Sequence, residues 1–271
     1  MVGMAQKQTF LLSLVLLFLG TFPVHAEEYS AANPYKPSDS QITHLQEIIP
    51  GYPEQPPMQD YTTLYKEKFV ISDYPPGMFK YYVYVPETYT PDKLWPVVLL
   101  LHDGSRQMSA GRYYFETGLQ KEYPAIVIVP IAPPGYDWNS AAPLALEALQ
   151  NVAKDYKLDP KRIYLTGYSM GGIGVYSMLA RYHEIFAGAF AVCGTYDPLK
   201  ITAIDDVPLL IYHTQKDNTF PVQITRDIHA RLKGKKRDVA YIEQEDASHA
   251  DCANIYAKKG FWDWLFKQKR P

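Results

Sequence analysis

RIYLTGYSMGGIGVYSMLARY, residues 162–182, joins a strand-like apolar run to a helical one, with a serine between glycines at the junction. At a sharp strand-to-helix turn the serine backbone is strained and its neighbours must be small. Gly167 and Gly171 provide that room, and Gly172 allows close packing of helix on strand. Ser169 is then held up at the sheet edge, at a helix N-terminus whose amides favour developing negative charge. G-x-S-x-G alone is a weak pattern, and a structural turn is the plain alternative. Between a predicted strand and a predicted helix it reads as a candidate nucleophile.

Outward from this junction the chain alternates. KYYVYVP (80–86) has the period-two pattern of a strand with one wet face. PVVLLLHDG (96–104) and PAIVIVP (124–130) are continuous apolar runs, as in strands covered on both faces. APLALEALQNVAKDY (142–156) spaces its apolar residues three and four apart, which predicts an amphipathic helix. GRYYFETGLQKEY (111–123) reads as another helix. Beyond the serine, FAGAFAVCG (186–194), VPLLIYH (207–213) and VAYIEQ (239–244) read as strands. VQITRDIHARLKG (222–234) and NIYAKKGFWDWLFKQ (254–268) read as helices. Such alternation means an α/β domain, with a mainly parallel central sheet flanked by helices.

On this map the unusual polar and aromatic groups lie just past strand ends: His102 to Ser105, Trp138, Ser169, Cys193 to Asp197, Asp217 and His249. In an open parallel sheet those ends share one edge, where ligands bind. A serine hydroxyl needs a base, and the base needs an orienting acid. Asp217, in HTQKDNTFP, and His249, in EDASHADC, supply both in the order serine, acid, histidine. The plain alternatives are a helix-capping aspartate and a surface histidine. Asp197, Asp246 and Asp251 are rival acids, and His102 and His213, at strand ends, are candidates for ordering loops near the site.

Composition sets the bounds. With 271 residues, 47% of them hydrophobic, the chain can bury one large core but not three. A formal charge of −2 gives no reason to expect a nucleic-acid partner, which needs a clustered basic face. The densest basic run, GKKR (234–237), reads as a solvated turn. Lys7, the apolar LLSLVLLFLG (11–20) and a small-x-small site ending at Ala26 describe an export signal over residues 1–26. That apolar run is short for a span, which takes about 20 residues, so no stable membrane span is expected after cleavage. The expected location is secreted or periplasmic. Residues 27–66 are proline-rich and read as an N-terminal extension, leaving 67–271 as the catalytic domain.

The stretches YYVYVPETYTPDKLWPVVLLLHDG, LDPKRIYLTGYSMGG and HTQKDNTFPV, with the histidine loop before the last helix, cover about residues 80–268. In them the chain resembles α/β-hydrolase-fold serine esterases: secreted polyhydroxybutyrate depolymerases, feruloyl esterases and carboxylesterases, with dienelactone-hydrolase-like relatives. The resemblance implies Ser169 as nucleophile, Asp217 as acid and His249 as base. It also implies an oxyanion hole made by the amide of Met170 and one amide after His102, either Gly104 or Ser105. One departure stands out: the family has His-Gly where this chain has His102-Asp103. A carboxylate aimed at the oxyanion would oppose catalysis, so its side chain is expected to turn away, toward Arg106 or Arg112 or into solvent.

The implied activity is hydrolysis of carboxylic esters through an acyl-enzyme, with no cofactor and no metal, since no histidine–carboxylate cluster has ligand spacing. A prolyl-oligopeptidase-type peptidase and a catalytically silent binding protein on the same fold are the alternatives. Among the 23 tyrosines, Tyr136, together with Trp138, could line an aromatic acyl or sugar pocket, or simply pack. Small or medium esters, aromatic or carbohydrate-linked ones included, are the expected substrates. Cys193 and Cys252 could bridge in an oxidising compartment or remain as two buried thiols.

Overall fold

The strand Trp95–Leu101 is buried at every position, and so are Ile126–Pro130 and Gly188–Val192. Such runs of apolar residues suit strands covered on both faces. They form the middle of an eight-stranded sheet in the computed structural model, which describes residues 64–73, 76–107, 111–201, 204, 207–234 and 239–271. The expected export signal, the proline-rich segment up to residue 63 and the basic run at 235–237 lie outside the described residues.

In chain order the strands are β1 (Lys66–Asp73), β2 (Pro76–Tyr84), β3 (Trp95–Leu101), β4 (Ile126–Pro130), β5 (Leu158–Tyr168), β6 (Gly188–Val192), β7 (Leu209–Lys216) and β8 (Val239–Ser248). Their order across the sheet is β1-β2-β4-β3-β5-β6-β7-β8. From β4 to β8 every pairing is parallel, whereas β1 pairs with β2, and β2 with β4, antiparallel. The order reverses at β3, which has β4 on one side and β5 on the other, and such a reversal opens a crevice beyond the strand ends.

The helices are α1 (Arg112–Glu116), α2 (Leu119–Glu122), α3 (Trp138–Asp155), α4 (Met170–Tyr182), α5 (Val222–Gly234) and α6 (Lys259–Lys267). Alternate residues of β3 serve the two faces. Val98 and Leu100 belong to a core cluster with Tyr114 of α1, Leu119 of α2 and Phe261 and Leu265 of α6. Leu101 faces α4 instead: a Cβ added at Gly174 would lie 2.6 Å from its side chain and equally close to Trp138.

The expected elements differ from the observed ones in informative places. Strand β1, which the sequence did not suggest, carries charges and the exposed Phe69 and Ile71 on its outer face, so its pattern does not read as apolar-in, polar-out. The expected helix at 111–123 is broken at Gly118, whose φ of 74° lies in the left-handed region. Helix α3 starts at Trp138, earlier than its periodicity suggests, because Asp137 and Ser140 cap it reciprocally. Pro143, inside α3, has no N–H for the carbonyl of Asn139, and Arg181 of α4 donates to that oxygen at 2.7 Å. The expected closing helix is a 3₁₀ helix, His249–Ala257, and then α6, separated by the extended backbone of Lys258.

Candidate active site

The turn between β5 and α4 is packed to the limit. A Cβ at Gly171 would sit 2.1 Å from the carbonyl oxygen of Leu101, and one at Gly172 would sit 2.6 Å from that of Val192. Backbone is thus wedged between the ends of β3 and β6, which only glycine permits. Ser169 has φ 57° and ψ −118°, a left-handed value that costs a non-glycine residue on the order of 1–3 kcal/mol. Its amide donates to Val192 O at 2.9 Å, which ties the strained residue to β6.

From that position Ser169 Oγ lies 2.9 Å from Nε2 of His249, and Nδ1 of His249 lies 2.6 Å from Oδ2 of Asp217. A proton on Nδ1 donated to the carboxylate leaves Nε2 free to accept from the serine hydroxyl. Asp217 has its side chain fully buried. Its Oδ1 accepts the amides of Thr219 and Phe220, both at 2.8 Å. The rival acids are engaged elsewhere. Asp251 accepts the amide and hydroxyl of Ser248, Asp246 pairs with Lys216 on the surface, and Asp197 accepts the amide of Leu199.

Aromatic residues hold the imidazole in place. Tyr168 lies with its ring centroid 5.3 Å from that of His249 and donates its hydroxyl to His249 O at 3.0 Å. Burial pushes the Tyr168 phenol up to about 12, with help from the charges of Asp103 and Asp217, so it remains a donor at neutral pH. Phe220 meets the imidazole edge-on, also at 5.3 Å. Neither residue stands out in sequence, although Tyr168 precedes the serine and Phe220 lies in the acid's own loop.

Cys193 and Cys252 are joined in a disulfide. It links the end of β6 to the 3₁₀ helix that begins with His249. Thr214 sits against it, its Oγ1 3.3 Å from Cys252 Sγ while it donates to Ser248 O at 3.1 Å. Cys193, Cys252 and Asp217 bring their ligand-type atoms within 4.8 Å of one another, but bonded sulfurs are not thiolate ligands.

The loop after β3 is fixed from beneath. The amide of Ala132 donates to Nε2 of His102 at 2.9 Å, so the ring proton is on Nδ1, which donates to Asp103 O at 2.6 Å. Burial lowers the pKa of His102, in keeping with a neutral ring. Trp138 is fully buried, its indole N–H donating to His102 O at 2.9 Å. A substrate cannot stack on it, so the expected pocket role of Trp138 is corrected: it is a packing residue under the loop. Tyr136 is half-buried, and its carbonyl accepts from Arg106 at 3.3 Å.

Asp103 also differs from expectation. It is buried, and its Oδ1 accepts the amide of Ser105 at 2.7 Å. Arg106 reaches the carbonyls of Ala132 and Tyr136. The Ser105 amide is engaged in this way by its own loop, and Met170 opens α4 directly after Ser169.

A sequence model of the dienelactone hydrolase family matches residues 138–257, which hold Ser169, Asp217 and His249. No protein of curated function matches the chain by sequence. Among solved structures, a thermostable esterase superposes with a TM-score of 0.71 at 24% identity, over 77% of this chain. The chain spans 64% of that esterase's length. A ferulic acid esterase from Anaeromyces mucronatus, solved with ferulic acid, gives 0.61 at 20% identity over 75% of this chain and 90% of its own. An S-formylglutathione hydrolase from Staphylococcus aureus gives 0.60 at 17% identity over 75% of this chain and 98% of its own. The chain has the α/β-hydrolase fold, and it resembles the esterases and hydrolases built on it.

Proposed function

We propose that this α/β-hydrolase-fold chain is an exported serine esterase in which Ser169, His249 and Asp217 hydrolyse carboxylic esters through an acyl-enzyme. The observation that carries this reading is the continuous Ser169–His249–Asp217 hydrogen-bond chain, at 2.9 and 2.6 Å, ending on a serine held at positive φ. His249 takes the hydroxyl proton as Oγ attacks the ester carbonyl, and the buried Asp217 stabilises the resulting imidazolium. The amides of Met170 and Gly104 receive the oxyanion. His249 then returns the proton to the leaving alcohol. Water, deprotonated by the same histidine, releases the acid and restores Ser169.

The substrates we infer are small or medium esters, aromatic or carbohydrate-linked ones included. The likeness to a structure solved with ferulic acid supports an aromatic acyl group, with Tyr136 as the candidate contact. Export accords with the leader-like N-terminus and with the Cys193–Cys252 disulfide, a bond that persists in oxidising compartments. Among the described residues no helix is long and apolar enough to cross a membrane.

The test is labelling by a fluorophosphonate, followed by a panel of p-nitrophenyl esters, methyl ferulate and a peptide substrate. Labelling of the wild type that is lost in Ser169→Ala, with turnover of esters and not of the peptide, is the expected result. Peptide cleavage in preference to esters would replace the esterase reading with a peptidase one, and absence of both labelling and turnover would overturn it.

A further inference from the structure

We propose that the outer face of the β1–β2 hairpin is a docking surface, and that its occupant is the apolar stretch ITHLQEII (42–49) of the same chain. This goes beyond the esterase reading and does not depend on it. It gives the N-terminal extension a place on the catalytic domain.

The two faces of β1 differ in what covers them. On one, Val70 is buried, Lys68 pairs with Asp155, and Ser72 donates to Glu147 at 3.1 Å, so α3 covers that side. The other is the face that α1, α2 and α6 cover farther in. Tyr82 of β2 packs against their core cluster, and Glu67 stands opposite it in register. Side chains two apart share a face, so Phe69 and Ile71 continue that side of β1. Ile71 stands opposite Met78, and directly opposed residues share a face as well. Phe69 is 48% exposed, Met78 66% and Ile71 83%. Past the Glu67–Lys80 ion pair, the face is apolar and uncovered among the described residues. An edge strand with such a face invites aggregation unless something lies over it.

The chain itself supplies a cover of matching chemistry. The described residues begin at Leu64, just before β1, so the preceding segment joins the domain at this hairpin. In that segment Ile42, Leu45 and Ile49 are three and four residues apart, which predicts one apolar helical face. Isolated helices under about 12–15 residues are marginal in water, so the stretch needs a surface to lie on. The 14 residues between, 50–63, include four prolines and reach at most about 46–50 Å. Leu64 and Ile71 are seven residues apart, at most about 25 Å. The linker is thus long enough to fold back along β1 and set 42–49 on Phe69, Ile71 and Met78. A tether that spans its sites gives an effective concentration on the order of millimolar, which favours the chain's own segment over a second copy.

The experiment is hydroxyl-radical footprinting of the purified full chain, read by mass spectrometry at Phe69, Ile71 and Met78. The comparison is the double variant Leu45→Asp/Ile49→Asp, whose carboxylates cannot be buried unpaired against an apolar face. Leu94 and Leu199, exposed elsewhere, are the references. Oxidation of Phe69 and Met78 should rise at least about threefold in the double variant, with both references unchanged. Reciprocally, Ile71→Asp should raise oxidation of Leu45. If the double variant does not fold, this second arm makes the same comparison, because Ile71 is exposed enough to accept a charge.

Equal oxidation of the hairpin in the wild type and the double variant would overturn the proposal, as would an Ile71→Asp variant with Leu45 oxidised no faster. Protection that vanishes on dilution, with sedimentation showing a dimer, would overturn it too, since a second copy would then be the occupant. Neither arm reads ester turnover, so failure here leaves the esterase reading standing, and failure of that reading leaves this one untouched.

Discussion

Nε2 of His213 lies 3.2 Å from Oδ2 of Asp217, the same oxygen that His249 contacts at 2.6 Å. His213 is wholly buried, bonded to Phe220 O at 3.0 Å and, through Nδ1, to Thr225 Oγ1 at 2.8 Å. Its Nε2–H donates to the Phe220 carbonyl, which fixes the loop that holds the carboxylate, and the ring packs against that carboxylate. His213→Phe should lower kcat about tenfold while leaving fluorophosphonate labelling detectable. Steady-state kinetics showing an unchanged kcat would remove His213 from the support of the acid.

Ser169→Ala and His249→Ala should each reduce kcat on the order of 10⁴-fold or more, and Asp217→Asn somewhat less. Double variants should lose little beyond the worse single one, because the three groups act as a unit. Kinetics on the single and double variants check this. Near-full activity in Asp217→Asn together with loss in Asp251→Asn would move the acid to Asp251, in the first turn of the 3₁₀ helix.

Removing the disulfide should destabilise the fold. A closed loop with a sequence separation of 59 corresponds to about 4 kcal/mol in the chain-entropy estimate. The double variant Cys193→Ala/Cys252→Ala should unfold at correspondingly lower urea concentration. Thiol titration of denatured, unreduced protein should find no free sulfhydryl, and two would contradict the bond.

Stability should decline in mild acid. His229 of α5 is buried with its ring centroid 5.0 Å from that of Tyr241, and neither ring nitrogen has a hydrogen-bond partner among the described residues. Burial, assisted by the charge of Lys233, pushes its pKa down to about 4. The unfolded chain takes up this proton first, near pH 6.5, so the contribution is complete above that pH and is lost as the pH falls toward 4. At 1.36 kcal/mol per unit the loss is at most about 3 kcal/mol. His102 and His213, also lowered by burial, act in the same direction. Urea midpoints at pH 7.5 and 4.5 should differ less in His229→Phe than in the wild type; an equal difference would acquit His229.

The central strands were legible because β3, β4 and β6 are apolar throughout, and no helical period competes with them. The serine turn was legible because glycine at 171 and 172 has a steric cause that composition displays. Strand β1 was not, since an edge strand with exposed Phe69 and Ile71 breaks the expected alternation. Trp138 was misplaced for a related reason: a tryptophan past a strand end looks the same in sequence whether it faces a cleft or props a loop. Its capping aspartate was the missed signal, because Asp137 with Ser140 marks a helix start and puts Trp138 in the first turn. The bond from Asp103 to Ser105 involves neighbours whose types allow it but do not demand it, so only geometry reveals it.

The sulfur bridge also divides the machinery topologically. Asp217 and His249 both lie on the segment between Cys193 and Cys252, and Ser169 lies outside it. A single backbone cut between residues 217 and 249 therefore puts acid and base on different pieces of polypeptide, yet those pieces stay covalently attached through sulfur. Nicked molecules of this kind migrate as one species until they are reduced.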